Sequence, residues 1–383
     1  MHIVKRYKHI SKVFFYSSVF LFLTSCASFS GKEQDKAKFY PEQPSPPRIQ
    51  YLATFSNPND LAGSGKSLNS FLLGEENAAS ALLKKPYGVS IHDGVIYVVD
   101  TRGPGYAVFN LKTSKFDVVH GSFSGKMRKP INITIDTNGD KYITDTQRRL
   151  ILIYDVNDKF VRSLGDGESF SPSDVLIVDN KLFVTDVKNH LIRVLDKRSG
   201  DELYTIGKAG SDKEQFFYPT NMALGINNNL YVSETGNFRV QQLTQSGKFV
   251  KSYGKVGTGI GNFARPKGIA IDKQGRMHVV DAAFENVQVF NKEGKILMFY
   301  GEPGAERHTI NLPTDITIDY DNNRYFQKYA DPDFEIEYII LVASQFGPNK
   351  VTVFGYGKKK GFDYSEQVRK SLSKSVPQPA KDK

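Results

Sequence analysis

Four side chains able to offer oxygen ligands share one setting in the sequence. Asn132, Asp174, Asn221 and Asp315 each lie two residues after a proline that opens a short apolar run, and Gly88 and Gly268 hold the same place after Pro86 and Pro266. If the six settings are equivalent in space, two carboxylates and two amides converge on one small volume. Such an all-oxygen set suits Ca2+, held by Asp174 and Asp315 above all, or a polyhydroxylated or cationic ligand. The two glycines, in the first and fifth settings, would leave a slot by which the ligand enters. The competing reading is local, because Asn and Asp beside a proline commonly cap a turn through backbone hydrogen bonds.

Other chemistry-bearing residues are less promising. Asp100, Asp145, Asp186, Glu234 and Asp281 each close the next apolar run. An acid recurring five times at one place points to a task of the fold, a carboxylate accepting the N–H groups of the following turn. The seven histidines, at 2, 9, 92, 120, 190, 278 and 308, show no HxH or HxxxH spacing that would bring metal ligands together. The glycine run Gly254, Gly257, Gly259 and Gly261 lies between two strand-like runs, not between a strand and a helix, so it is a turn and not a phosphate cradle. No GxSxG nucleophile elbow is present.

The elements that must position these residues recur. The clearest copy spans residues 265–301, RPKGIAIDKQGRMHVVDAAFENVQVFNKEGKILMFYG, with four runs rich in Val, Ile, Phe and Tyr, bounded by Asp, Asn or Gly. That pattern is a meander of four antiparallel strands. The opening proline recurs at 86, 130, 172, 219, 266 and 313, with spacings of 44, 42, 47, 47 and 47 by subtraction. A period near forty-five with four strands per repeat predicts an all-β, six-bladed β-propeller. After Pro313 three strands are visible, at 315–319, 338–343 and 350–354, before residues 355–361 turn rich in glycine and lysine. The unpaired strand near residues 49–55 is therefore expected to complete the last blade and close the ring. Two insertions interrupt the pattern. One, at 57–85, carries Leu68, Phe71 and Leu72 at helical spacing, and the other, at 320–337, carries Tyr325, Phe326, Tyr329 and Phe334. Either packs over the propeller or serves as a lid or partner surface.

The connector Tyr253-Gly254-Lys255-Val256-Gly257 leading to Gly261-Asn262-Phe263-Ala264-Arg265-Pro266 resembles the NHL repeat, as do Ile206-Gly207-Lys208-Ala209-Gly210 leading to Phe217-Tyr218-Pro219, and Val280-Asp281 followed by Asn286-Val287-Gln288-Val289-Phe290. Propellers of that type bind proteins, RNA or small molecules, and some relatives are enzymes. The histidines of propeller lyases and the cation-binding carboxylates and amides of gluconolactonase-like and paraoxonase-like propellers do not map onto this chain residue by residue. The absence of Trp argues against the quinoprotein propellers.

At the amino end Lys5, Arg6, Lys8 and Lys12 precede an apolar stretch at 13–23, too short for a spanning helix, and then Leu23-Thr24-Ser25-Cys26. The tetrapeptide resembles the lipobox of bacterial lipoproteins, which implies cleavage before Cys26, its lipidation, and attachment to a lipid bilayer. Ala27 after the cysteine resembles an outer-membrane address. Cys26 is the one cysteine, which excludes an intrachain disulfide framework and a Cys-ligated metal site. Loss of the leader lowers the formal charge from +10 to +6, a modest excess, and export argues against nucleic acid as a partner.

The expected organisation is thus a leader at 1–25, a Ser-, Lys- and Pro-rich tether at 26–44, a propeller at 45–360 and a polar tail at 361–383. The expected function is that of a lipid-anchored, monomeric binding or scaffolding module at the cell envelope, for an envelope protein or a small molecule. No cofactor is expected unless the ring holds Ca2+. The alternative is a metal-assisted hydrolase, lactonase or lyase working at the channel mouth.

Overall fold

The computed structural model describes residues 37–42, 44–61 and 83–364. Cys26, the apolar leader, the amphipathic segment around Phe71 and the tail beyond 364 lie outside the described residues.

Six antiparallel sheets form a β-propeller. The inner strands are Pro86–His92, Pro130–Ile135, Pro172–Val178, Pro219–Leu224, Pro266–Ile271 and Pro313–Asp319, one per blade. In blades one to five the three strands that follow in sequence complete the sheet. Burial follows from this packing. Central strands lie between two neighbouring blades and are covered on both faces, so Met277–Asp281 and Leu230–Glu234 are buried throughout, polar members included. Outer strands have one wet face, and Phe160–Leu164, Phe249–Tyr253 and Ile296–Tyr300 alternate accordingly. The core is divided into clusters between blades. One of them joins Phe183, Val194 and Ile206 of blade three to Met222, Val232 and Leu243 of blade four.

Blade six is closed as the strand count requires. Ile49–Phe55 pairs antiparallel with Val351–Lys359, which pairs with Phe334–Ser344. Ile49, Leu52 and Phe55 of this strap are buried, and Phe55 stands 5.8 Å from Phe109 of blade one. Full burial of three such side chains contributes roughly 5–9 kcal/mol before entropy. Because a domain's net stability is about 5–15 kcal/mol, the strap is not optional.

Three features depart from the sequence reading. The second and third strands of this blade are longer than expected, because the chain stays extended through Gly355 and Gly357. There a side chain at Gly357 would run into the Glu335 carbonyl oxygen, and one at Gly355 would press on Leu52 and Ile336. Phe39–Tyr40, inside the stretch expected to be tether, adds a fifth strand on Ile49–Gln50, and Tyr40 is buried against Tyr300 and Phe354. The insertion at 320–333 forms two short 3-10 turns, Asn323–Tyr325 and Gln327–Tyr329, that drop Phe326 into the core between blades six and one. Tyr325 and Tyr329 instead line a cavity of about 180 Å3 with Phe55, Leu61, Leu111 and Arg324. Among the described residues no helix is long and apolar enough to cross a membrane.

Candidate functional site at the channel mouth

Every inner strand begins on one face of the propeller, opposite the end of the second strand, as in the pairs Pro86 with Asp100, Pro130 with Asp145 and Pro266 with Asp281. The loops entering each blade and the turns between second and third strands therefore gather on this face. The five recurring acids hold it together. Asp145 accepts the N–H groups of Arg128 and Lys129 from the entry loop and of Gln147 and Arg148 from the turn, at 2.6–3.2 Å. Asp100 does the same for Lys84, Lys85, Arg102 and Gly103, and Asp281 for Ala264, Arg265, Ala283 and Phe284. Asp186 and Glu234 add an arginine each, Arg193 and Arg239, at 2.8 and 2.7 Å. All five are buried, so their charge is spent on the fold.

The Asx ring does assemble. Asn132 Nδ2 donates to Asp174 Oδ1 at 2.8 Å, and Asn221 Nδ2 reaches Asp315 Oδ1 at 3.3 Å across the place of Gly268. The carboxylates also clasp the following blade. Asp174 Oδ2 accepts Met222 N–H at 2.8 Å, and Asp315 Oδ2 accepts Val89 N–H at 3.0 Å. Asp174 Oδ1 takes in addition the N–H of Val175 at 2.9 Å. Each of the four ring residues is no more than 6% exposed. Burial pushes the Asp174 carboxyl up to about 7, against the lowering effect of its backbone donors. Asp315 stands well above the carboxylate range, through burial first and the Asp174 charge second.

Two expectations for the ring change. The glycines leave no slot, because a Cβ at Gly88 would fall 2.1 Å from Asn132 Oδ1 and one at Gly268 2.6 Å from the Asp315 Cα. The missing side chains are filled by the neighbouring strand. The donor set also fits Ca2+ poorly, since that ion takes six to eight oxygens and favours ionised carboxylates. Here the carboxylate oxygens already accept N–H groups, and burial disfavours their ionised forms. Asn221 Oδ1 is the exception, a buried oxygen with no partner. Among the described residues no three His, Cys, Asp or Glu side chains group as metal ligands.

A second buried constellation lies toward the opposite face, where blade five meets blade six. Asp272, at the turn after the inner strand, accepts Arg276 Nε and the Tyr338 hydroxyl, the latter at 3.0 Å. His278 is fully buried, with Nδ1 3.3 Å from the Tyr300 hydroxyl and Nε2 3.4 Å from that of Tyr338. Burial lowers the His278 pKa, with Asp272 opposing, so the ring is neutral at pH 7. Burial would raise Asp272, but His278 and Arg276 bring it down to about 2. Tyr338 stacks on Tyr356 at 4.7 Å, and Arg276 lies 4.1 Å over the Tyr356 ring. With His278 sealed from solvent, this is a clamp between blades. Sequence reading missed it because its two halves lie sixty residues apart, although the Asp-x-x-Gly turn at 272–275 marks one half.

No family model matches the sequence, and a comparison with curated proteins finds no match. Among solved structures, a protein of unknown function from Bacteroides thetaiotaomicron is similar with a TM-score of 0.56 and 16% identity, over 80% of this chain and 75% of that one. A gluconolactonase from Xanthomonas campestris is similar at 0.53 and 14%, over 83% and 97%. Virginiamycin B lyase from Staphylococcus aureus reaches 0.48 and 16%, over 71% and 95%. At such identities the likeness to the first two is one of fold, the six-bladed propeller, and carries no chemistry with it.

Proposed function

We propose that this chain is an NHL-type propeller lipoprotein, attached through Cys26 to a bilayer of the bacterial cell envelope, where it serves as a binding or scaffolding module. The observation that carries this reading is the state of the ring. The side chains best placed to activate water or hold a metal, Asp174 and Asp315, are buried and bonded to the backbone N–H groups of the next blade. A group so engaged joins blades and is not free to attack a substrate. The leader and the Leu23-Thr24-Ser25-Cys26 tetrapeptide support the address. Several acyl chains, at ~0.8 kcal/mol per buried methylene, would hold the propeller at the membrane permanently.

The reading is tested by purifying the lipidated protein from its own membranes after cross-linking. The same preparation is assayed for bound metal and for turnover of lactones and esters. Stoichiometric Ca or Zn together with turnover would favour the metal-assisted hydrolase, lactonase or lyase instead. A cross-linked partner without turnover is the expected result.

A further inference from the structure

The channel-mouth face is electrically lopsided. Over blades one and two its described part comprises four loop segments, at 83–86, 101–104, 120–129 and 146–149, which contain Lys84, Lys85, Arg102, Lys126, Arg128, Lys129, Arg148 and Arg149 and no acidic residue. The acids beneath them, Asp100 and Asp145, are buried and face inward to backbone N–H groups. None of the eight cations forms an ion pair within the described residues, and Lys84, Arg102, Lys126, Arg128 and Lys129 are exposed. Asp166 and Glu168 border the patch toward blade three, with Asp166 turned into its own loop by Ser169 and the Glu168 N–H.

From the middle of the patch projects Phe123, 97% exposed and in the left-handed backbone region at φ 46°. A bulky side chain there costs energy and shows an apolar ring to water, and no described side chain packs on the ring to offset it. The loop is nevertheless held firmly. Gly125 N–H bonds Ser122 O at 2.8 Å, Lys126 N–H bonds Phe123 O at 3.1 Å, and the Tyr154 hydroxyl bonds Gly125 O. Arg148 Nη1 bonds both Ser124 O and Lys126 O, at 2.6 and 2.9 Å. A fixed aromatic tip ringed by unpaired cations has the composition of a membrane-interface contact, in which the ring enters the headgroup layer and the cations meet lipid phosphates.

We propose that this sector of the propeller docks on an anionic phospholipid surface, with Phe123 as the inserted side chain. The inference rests on the membrane-anchored reading above only for the presence of the bilayer, since the contact itself needs no acyl chain. It would turn the propeller so that blades one and two face the lipid, and leave blades three to five toward the aqueous space for partners.

The test uses the full chain carrying Cys26→Ser, so that a failure of lipidation and a failure of docking are read separately. Flotation is measured with vesicles of phosphatidylcholine alone and with about a third phosphatidylglycerol, in rising salt. The result read is the ratio between the two vesicle types, compared between the parent and each variant, which cancels the contribution of the leader and its four basic residues. Recruitment should depend on phosphatidylglycerol and fall with salt. Each cation near such a surface is worth about fivefold in affinity, so Arg128→Ser with Lys129→Ser should cost roughly 25-fold. Phe123→Asn, which suits the left-handed backbone, should weaken binding with an unchanged or raised melting temperature. Binding indifferent to phosphatidylglycerol, or equal for the parent and both variants, would overturn the proposal. So would a cation-dependent grip on soluble polyphosphate that outcompetes the vesicles, which would assign the patch to a soluble polyanion.

Discussion

Replacing Asp315 with Asn isolates the ring's electrostatics. In the wild type, Asp315 and Asp174 share a small buried volume, and both hold protons more tightly than they would in an unfolded chain. Stability from that proton binding is complete below the ordinary carboxylate pKa and is lost as pH rises through the raised folded values. For Asp174 the rise from 3.8 to about 7, at ~1.4 kcal/mol per unit, amounts to roughly 4 kcal/mol lost between about pH 4 and pH 7. The Asp315 loss begins in the same range and extends to higher pH. An amide at 315 keeps one oxygen for the Val89 N–H and sets an NH2 where the carboxylic O–H would sit. Rotation of the Asn221 amide by half a turn then supplies its unpaired oxygen to that NH2. Asp315→Asn should therefore fold, and should lose less stability than the wild type between pH 6 and pH 9, since it removes both a buried charge and its repulsion of Asp174. Asp174→Asn should behave differently. Its two oxygens accept from Asn132, Val175 and Met222, so an amide nitrogen must oppose an N–H, at a cost of about 1–3 kcal/mol at every pH. Urea unfolding of the three proteins at half-unit pH steps measures this. Parallel pH profiles for wild type and Asp315→Asn, or a greater loss at pH 6 from Asp315→Asn than from Asp174→Asn, would refute the reasoning.

Removing the strap, residues 48–55, should abolish cooperative unfolding and give aggregation, whereas deleting residues 28–36 should leave the melt unchanged; calorimetry distinguishes the two. Tyr40→Ala should cost about 3–5 kcal/mol in urea melts, because the side chain is buried against Tyr300 and Phe354. Cys26→Ser should leave an unlipidated precursor that takes up no labelled fatty acid. The melting temperature should be the same with Ca2+ and with chelator, given how the ring oxygens are engaged.

Blade number, strand order and the strap were all legible because each rests on a period or a count. Strands between two blades are covered on both faces and rich in Val, Ile, Leu and Tyr, so the runs ending at Asp145, Glu234 and Asp281 stand out against polar turns. An odd strand at residues 49–55 and a missing one after 350–354 could only be matched to each other. Phe39–Tyr40 could not be read that way, since a two-residue strand has no period and its value comes from Tyr300 and Phe354, far along the chain. The recurring acids were legible as turn partners because one residue type at one place in five blades has one structural cause. For the ring, position could be read and chemistry could not. Equivalent places in a closed array must converge, and Asn132, Asp174, Asn221 and Asp315 do. Whether an oxygen faces the channel or the next blade depends on how closely Gly88 packs on Asn132 and Gly268 on Asp315. That spacing is set by how the blades pack. The same limit hid Phe123, an ordinary loop residue in sequence, whose exposure and left-handed backbone become meaningful only once Asp100 and Asp145 are seen turned inward and the cations above them form no ion pair among the described residues.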